Sequence, residues 1–297
     1  IPVTSIRGAL RSRASRIART VLAARDDFKP LTSHDIHEQI AAEPNLVRYM
    51  FGSTEYRGAV TVHDCLSTKR GKRIEVTHNA IDRWTGGVID GGLFTEAVYL
   101  GTHWEPITID IDLRQLLNNI EAEKGPEAKR GPADANDIEA EKGEVKSKPR
   151  KAETKETQPD VQKDSQQLEH VYAPYARAAY VLLGLVLAEL SAGTLPLGSR
   201  STRGLGQVVV STIKVEGADR KGVDLPSWNF TGCEALQQPA TGAGVMTDTL
   251  YEGQRKLAEQ VLKHLKDKYE ETDWSKRLEN GPGAARKQSE ETGAADD

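Results

Sequence analysis

From Asn118 to Gln167 the chain is Glu, Lys, Pro, Ala and Gly with almost no large apolar side chains. A stretch so poor in apolar surface cannot offset the entropy of ordering it, so residues 118–168 are expected to be a disordered insertion. Whatever folds must be assembled from the chain on the two sides of it.

On the first side, Ile6, Leu10, Ala14, Ile17 and Val21 recur at three- and four-residue spacing, which predicts one apolar stripe on a helix from about Ser5 to Ala24. Arg7, Arg11, Arg13, Arg16 and Arg19 cover much of the rest. Thr4 and Ser5 just before the stripe are good N-cap residues, so the helix mouth is expected to present free backbone N–H groups to an anion. Residues 26–50 read as loop and a short polar helix, and Phe51-Gly52 marks a turn into a strand. Ala59 to Leu66 alternates, STKRGKR carries a glycine turn at Gly71, and Arg73 to His78 alternates again, which predicts a hairpin with a basic tip. The glycine-rich stretch Asn79 to Gly101 is expected to be a loop or a short excursion ending in a strand. Ile107, Ile109 and Ile111 put one more strand's apolar side toward a core.

On the second side, an apolar helix is expected from about Tyr172 to Leu190, then the loop GTLPLGSRSTRGLG, then a strand from Gln207 to Val215. The order helix, strands, helix, strand is that of an α+β, ferredoxin-like (RRM-type) antiparallel sheet with two main helices, lacking its first strand. That strand is expected just ahead of Ile1. The domain is thus predicted in two parts, 1–117 and 169–216, separated by the insertion. Residues 217–279 read as a helical extension, a loose segment with Trp228, Phe230 and Cys233 followed by an amphipathic helix from about Thr247 to Glu270. Residues 280–297 read as a disordered tail.

Composition narrows the function classes. The 297 residues are 37% hydrophobic and 28% charged, enough for one sizeable core or two small ones. A net charge of −4 hides an asymmetry, because arginines crowd the first helix while acidic residues crowd the middle and the tail. Such an asymmetry is compatible with a nucleic-acid partner. Cys65 and Cys233 stand far apart, which leaves no CxxC site and no disulfide framework, and fits a reducing cytoplasm. The longest apolar stretch, Ala178 to Leu190, is expected to be too short to span a bilayer, so no membrane role is expected.

Sites for chemistry are few. His63 with Cys65, and His34 with His37, have spacings that a metal can use, but no second pair lies nearby in sequence, and no metal site is expected. There is no GxSxG elbow and no sequence sign of a catalytic triad. The glycine-rich loop Gly198 to Gly206 follows a helix and precedes a strand, the reverse of a dinucleotide fingerprint or a P-loop, which argues against a nucleotide cofactor.

Four stretches in order resemble the RAMP superfamily, proteins that form the backbone of type III CRISPR effector complexes: IPVTSIRGALRSR at 1–13, FGSTEYRGAVTVHD at 51–64, THNAIDRWTGGVIDGGLF at 77–94 and GSRSTRGLGQVVV at 198–210. The resemblance implies a fold whose copies stack along a guide RNA, each holding part of its backbone opposite a complementary target RNA and beside other RAMP subunits. It implies that Thr4, Ser5, Arg7 and Arg11 contact guide phosphates, joined by Arg57 and Arg83 as further RNA contacts. It implies that Arg200 and Arg203 neutralise phosphate while Gly204 and Gly206 allow close approach of the backbone. It also implies a thumb-like hairpin at IDRWTGG, on which Trp84, Val88, Ile89 and Phe94 could wedge against bases, although Trp84 could equally be core. Asp82 and Arg83 are expected to pair or to hold the loop's shape.

Some members of that superfamily cut target RNA with a metal-assisted aspartate between the first strand and the first helix. No aspartate precedes Asp26 here, so no catalytic residue is assigned and Mg2+ enters only if a longer protein cleaves RNA. The alternatives are an RNA endonuclease of this kind and a guide-processing ribonuclease using His63 or His78 without metal. A third is an assembly piece docking through the helix at Thr247 to Glu270.

Overall fold

The computed structural model describes residues 1–25, 36, 39, 42–124, 161–198, 205–220, 223–232, 248–270 and 274–279. The chain is a mixed α+β structure built round two apolar cores that share one helix.

The first helix, α1, spans Val3–Ala23 and buries Ile6, Leu10, Ala14, Ala18 and Leu22. Their four-residue spacing keeps them on one stripe. Ile17 and Val21 flank that stripe, half-buried against the core. The helix starts earlier than expected: Pro2 is the N-cap, no side chain caps it, and Thr4 and Ser5 lie inside the first turn. Proline suits this start because its fixed φ already matches a helix entry.

Helix α2 (Asn45–Phe51) buries every residue after its first and leads to β1 (Val60–Val62). That strand pairs antiparallel with β6 (Ile109–Ile111), placing Val60 opposite Ile111 and Val62 opposite Ile109. Between them come β2 (Ser67–Lys69), β3 (Lys72–Ile81), β4 (Val88–Leu100) and β5 (His103–Trp104). The hairpin expected to join residues 59–66 to 73–78 is not formed. Instead β3 pairs with β4, from Lys72 opposite Leu100 to Ile81 opposite Val88, and β2 pairs with β5. The turn chemistry decides it: Asp82 Oδ1 accepts the Trp84 N–H at 2.7 Å and Gly86 sits at φ +69°, which closes a tight tip after Ile81. The excursion is therefore long. Thirteen residues of β4 face ten of β3, a ribbon of roughly 33 Å at 3.3 Å per residue.

Helix α3 (Leu113–Lys124) is a second departure, because residues 118–124 fall within the expected insertion. Asp112 Oδ1 accepts the N–H groups of Arg114 and Gln115 and so caps the helix start. Leu116, Asn119 and Ile120 are fully or nearly fully buried. The next helix, α4 (Val161–Ser191), likewise begins inside the expected insertion, and it carries Pro174 in its interior. The stretch between the two helices, like the expected tail, lies outside the described residues.

Helix α4 is apolar on opposite sides. Tyr175, Ala178, Ala179, Leu182, Val186 and Leu190 join the core of α1, α2 and β1. Ala176, Tyr180, Val181 and Ala188 join a second core with β7 (Thr212–Val215), β9 (Val223–Leu225), β10 (Trp228–Thr231) and α5 (Asp248–Tyr269). Each fully buried leucine of such a helix stabilises by about 1.5–3 kcal/mol. Contrary to the expectation of a stretch too short to span a bilayer, Ala173–Ser191 is long and apolar enough to do so. It is also 67% buried within the protein, as a core helix is.

After Glu216, in the segment expected to be loose, the described residues 217–220 and 223–232 are largely strand. A short hairpin of β8 (Ala218–Arg220) and β9 precedes β10, which pairs antiparallel with β7. Trp228 is buried, and its Nε1–H donates to the Tyr180 hydroxyl at 2.6 Å, which in turn donates to the Pro226 carbonyl. The expected strand 207–215 is paired only from Thr212, and among the described residues the strands form five two-stranded units. A 3-10 turn at Trp274–Arg277 closes the described chain.

Candidate nucleic-acid interface

Three of the sequence-predicted arginines come together at the front half of α1. Arg7 donates from Nη2 to the Phe51 carbonyl at 2.8 Å, tying α1 to the C-terminal end of α2. Gly52 follows at φ +88°, and its N–H bonds back to the Arg48 carbonyl. A Cβ on Gly58 would lie 2.4 Å from the Phe51 carbonyl carbon, so only glycine lets the chain fold back this closely. The result is a small closed loop in which Gly52 bridges Arg57. That loop delivers the exposed Arg57 to the neighbourhood of Arg7.

The electrostatics register the crowding. Burial, and then the charges of Arg11 and Arg57, press the Arg7 guanidinium below its ordinary pKa. Arg11 is held by Glu43, its Nη2 2.5 Å from Oε2 and its Nε 3.2 Å from Oε1. Farther along α1 a shallow groove of about 660 Å³ is lined by Ser12, Ser15, Arg16 and Arg19 beside Arg11. Arg13 turns away, forming an ion pair with Glu189 of α4.

What holds Arg57 in place was invisible in the sequence. Asn119, buried on α3, donates from Nδ2 to the Arg57 carbonyl at 2.8 Å and to the Tyr49 carbonyl at 2.9 Å. Glu123, one turn on, accepts from Arg48 at 3.2 Å and from the Tyr56 hydroxyl at 2.6 Å. Burial, reinforced by that hydrogen bond, drives the Tyr56 hydroxyl's pKa upward, so it stays a donor. Asn119 and Glu123 both belong to the stretch expected to be disordered. The one available signal was the i, i+4 pattern Leu116, Asn119, Ile120 behind the Asp112 cap.

The other predicted residues are distributed. Thr4 is exposed and Ser5 half-buried in the first turn of α1. Arg83 and Trp84 stand at the tip of the β3–β4 hairpin, with Trp84 96% exposed, so it is not part of a core. Ile81, Val88, Ile89 and Leu93 are exposed beside it, while Phe94 packs against His78 with ring centroids 5.4 Å apart. Asp82 shapes the turn through the Trp84 N–H. Gly206, at φ +81°, packs tightly on Leu197: a Cβ there would sit 2.2 Å from the Leu197 carbonyl oxygen. Arg200, Arg203 and Gly204 lie outside the described residues, as do His34, His37 and Cys233.

The family description that matches this chain is that of the RAMP superfamily, over residues 1–209. The chain belongs to the RAMP superfamily. RAMP proteins are in general CRISPR-associated RNA-binding proteins that work with partners in CRISPR complexes. The matched region of this RAMP protein takes in α1, the Arg57 loop, the hairpin and α4, and ends just before β7. No curated protein matches the chain.

His63 and Cys65 do not converge on a common point. His63 Nε2 lies 2.6 Å from Asp110 Oδ2 at the surface, whereas the buried Cys65 thiol donates to the Glu105 carbonyl. Among the described residues, no three His, Cys, Asp or Glu side chains are grouped to hold a metal ion.

Proposed function

We propose that this RAMP protein is a guide-RNA-binding backbone subunit of a type III CRISPR effector complex, acting in antiviral defence in the cytoplasm. It holds guide RNA paired with a complementary target RNA, next to other RAMP subunits, and needs no bound cofactor. The fold is ferredoxin-like, with α1 and α4 as the two main helices behind the β1–β6 strands.

The observation that carries this reading is the cluster of Arg7, Arg11 and Arg57, in which burial first, and then the charges of the other two, hold the Arg7 guanidinium below its ordinary pKa. Like charges crowded at one place repel in the free protein and are relieved by a polyanion. Arginine forks also match the oxygens of a phosphate. Thr4, Ser5, Arg200, Arg203, Gly204 and Gly206 serve the same backbone, and Arg83 and Trp84 reach the bases from the hairpin. A protein of this kind grips phosphates and reads shape, so it binds RNA with little sequence preference.

The test is RNA binding by the purified chain, followed by fluorescence anisotropy across a salt series. Affinity falls with salt, and the double variant Arg7→Ala with Arg57→Ala weakens it and lowers the salt slope by about one for each phosphate no longer neutralised. Affinity indifferent to salt, or unchanged in the double variant, would overturn the reading. Incubation with repeat RNA and with target RNA, with and without Mg2+, completes it. Protection without cutting supports a backbone subunit, and site-specific cutting would replace it with a nuclease.

A further inference from the structure

The basic run STKRGKR, expected at the tip of a hairpin, lies instead at the root of the β3–β4 ribbon. At about 3.3 Å per residue, roughly 30 Å of strand separates it from Trp84 at the true tip. Lys69, Arg70, Lys72 and Arg73 are all exposed. Arg73 reaches Glu75 at 3.3 Å, while Lys69, Arg70 and Lys72 meet no carboxylate among the described residues. Uncompensated like charges at adjoining positions repel, and a bound polyanion relieves them.

Aromatic rings stand among these charges. The strand register sets Tyr99 opposite Arg73 and Trp104 opposite Ser67. Tyr99 is 44% and Trp104 40% exposed, so neither ring is given over to a core. Between the pairs Lys69–His103 and Lys72–Leu100 the ladder is interrupted. A Cβ on Gly71 would lie 2.2 Å from the Leu100 carbonyl oxygen, so glycine is what lets the two strands close again there. Arg70 sits in the interruption, where strand alternation no longer dictates its direction. It folds back over Tyr99, its guanidinium carbon 4.7 Å from the ring centroid and its Nη2 donating to the Tyr99 hydroxyl. Arg70, Lys72, Tyr99, His103 and Trp104 border one common opening. A guanidinium laid on a ring, a second ring and free cations thus share one side of the ribbon root.

We infer that the ribbon root is a seat for unpaired nucleotides of single-stranded RNA. Bases stack on the Arg70–Tyr99 pair and on Trp104, while Lys69, Lys72 and Arg73 neutralise the phosphates that join them. Every base has a flat π face, so such a seat accepts any sequence. In a duplex those faces are already stacked on one another, so paired RNA gains nothing from the rings. An acidic peptide would use the cations and leave both rings idle. The inference rests on the RNA-binding reading of the chain but on none of the contacts at α1.

The probe is a single-stranded oligouridylate of about ten nucleotides, within the range one such site covers, carrying one 2-aminopurine. Binding to the full chain is followed by anisotropy and by quenching of the 2-aminopurine, which reports stacking. Tyr99→Ala and Trp104→Ala each weaken binding about fivefold or more and reduce the quenching, with the melting temperature of the free chain nearly unchanged. Tyr99→Phe keeps the ring and keeps both affinity and quenching. A blunt RNA duplex of the same length binds all these variants like the unaltered chain. Single-strand affinity unchanged in the Tyr99→Ala, Trp104→Ala double variant overturns the inference. So does an equal loss in Tyr99→Phe, an equal loss for the duplex, or oligoglutamate that binds as tightly and with the same dependence on the rings. Arg7→Ala with Arg57→Ala is measured alongside. Binding lost there and kept in the ring variants removes this seat and leaves the α1 contacts standing, the reverse removes the α1 contacts, and no binding by the unaltered chain removes both.

Discussion

The front of α1 and the β3–β4 hairpin both carry cationic and polar residues that the family resemblance assigns to RNA, yet they are built in opposite ways. At α1 each arginine is braced: Arg7 on the Phe51 carbonyl, Arg11 on Glu43, Arg13 on Glu189. The helix beneath is buried along a full stripe. The hairpin is a two-stranded ribbon whose strands, among the described residues, pair with each other alone, and its tip offers Trp84 almost wholly to solvent. A two-stranded ribbon is marginal by itself. The lesson is a division of labour between a stiff seat that fixes charge and a slender arm that presents apolar surface.

The severest challenge to that division is to remove core beneath the seat. Leu182→Ala empties a fully buried site and is expected to cost about 2–5 kcal/mol, read by urea denaturation, whereas Leu93→Ala on the arm is expected to change stability little. Similar losses at both positions would mean that the arm is packed like the core.

Asn119→Ala comes next. It strips the Arg57 and Tyr49 carbonyls of their buried donor and is expected to cost about 1–3 kcal/mol. RNA affinity should fall with it, since Arg57 loses its brace. Trp84→Ala is the converse case. If the tip stacks on a base, affinity for paired guide and target RNA drops by about 1–3 kcal/mol while the melting temperature holds. A stability loss without an affinity loss would assign Trp84 a packing role instead.

The smallest effect separates the second core from both. His264 packs against the stacked pair Trp228 and Phe230, with ring centroids at 5.6 and 5.8 Å. Burial first, and then Lys268, push its pKa down, against Asp267, which raises it. A histidine whose folded pKa is depressed favours the neutral form. Its contribution is therefore intact above the unfolded value of about 6.5 and lost as pH falls through the folded value. A melting-temperature series from pH 8 to pH 5 should show a slight decline below about pH 6.5 that His264→Gln flattens.

How much of this could be read beforehand depended on whether the signal was local. The stripes of α1 and α5 and the apolar run of α4 stand in the sequence as periodicity; both ends of α1 and α5 and the C-terminal end of α4 were legible to within a few residues, whereas α4 begins well ahead of its apolar run. Strand pairing was not, because β1 finds its partner nearly fifty residues later at β6, across the whole hairpin. Gly71 looked like a turn in a basic stretch, yet the chain reversed at Asp82–Gly87, where side-chain acceptors cap the tip. Asn119 and Glu123 were hidden by averaging: they sit at the edge of a long charged stretch, and only the buried neighbours Leu116 and Ile120 mark them as structural. The arginine cluster was half legible, since Arg7 and Arg11 share a helix, whereas Arg57 joins them through a fold-back that needs two glycines to touch.

Helix α4 has a consequence for how the molecule comes apart. Because the stretch 173–190 of that helix furnishes one wall of each core, neither half can melt while the other keeps its lining. Heating should therefore yield a single calorimetric peak, and a lesion near Tyr269 should reach the guanidinium cluster by loosening the shared beam rather than by touching it.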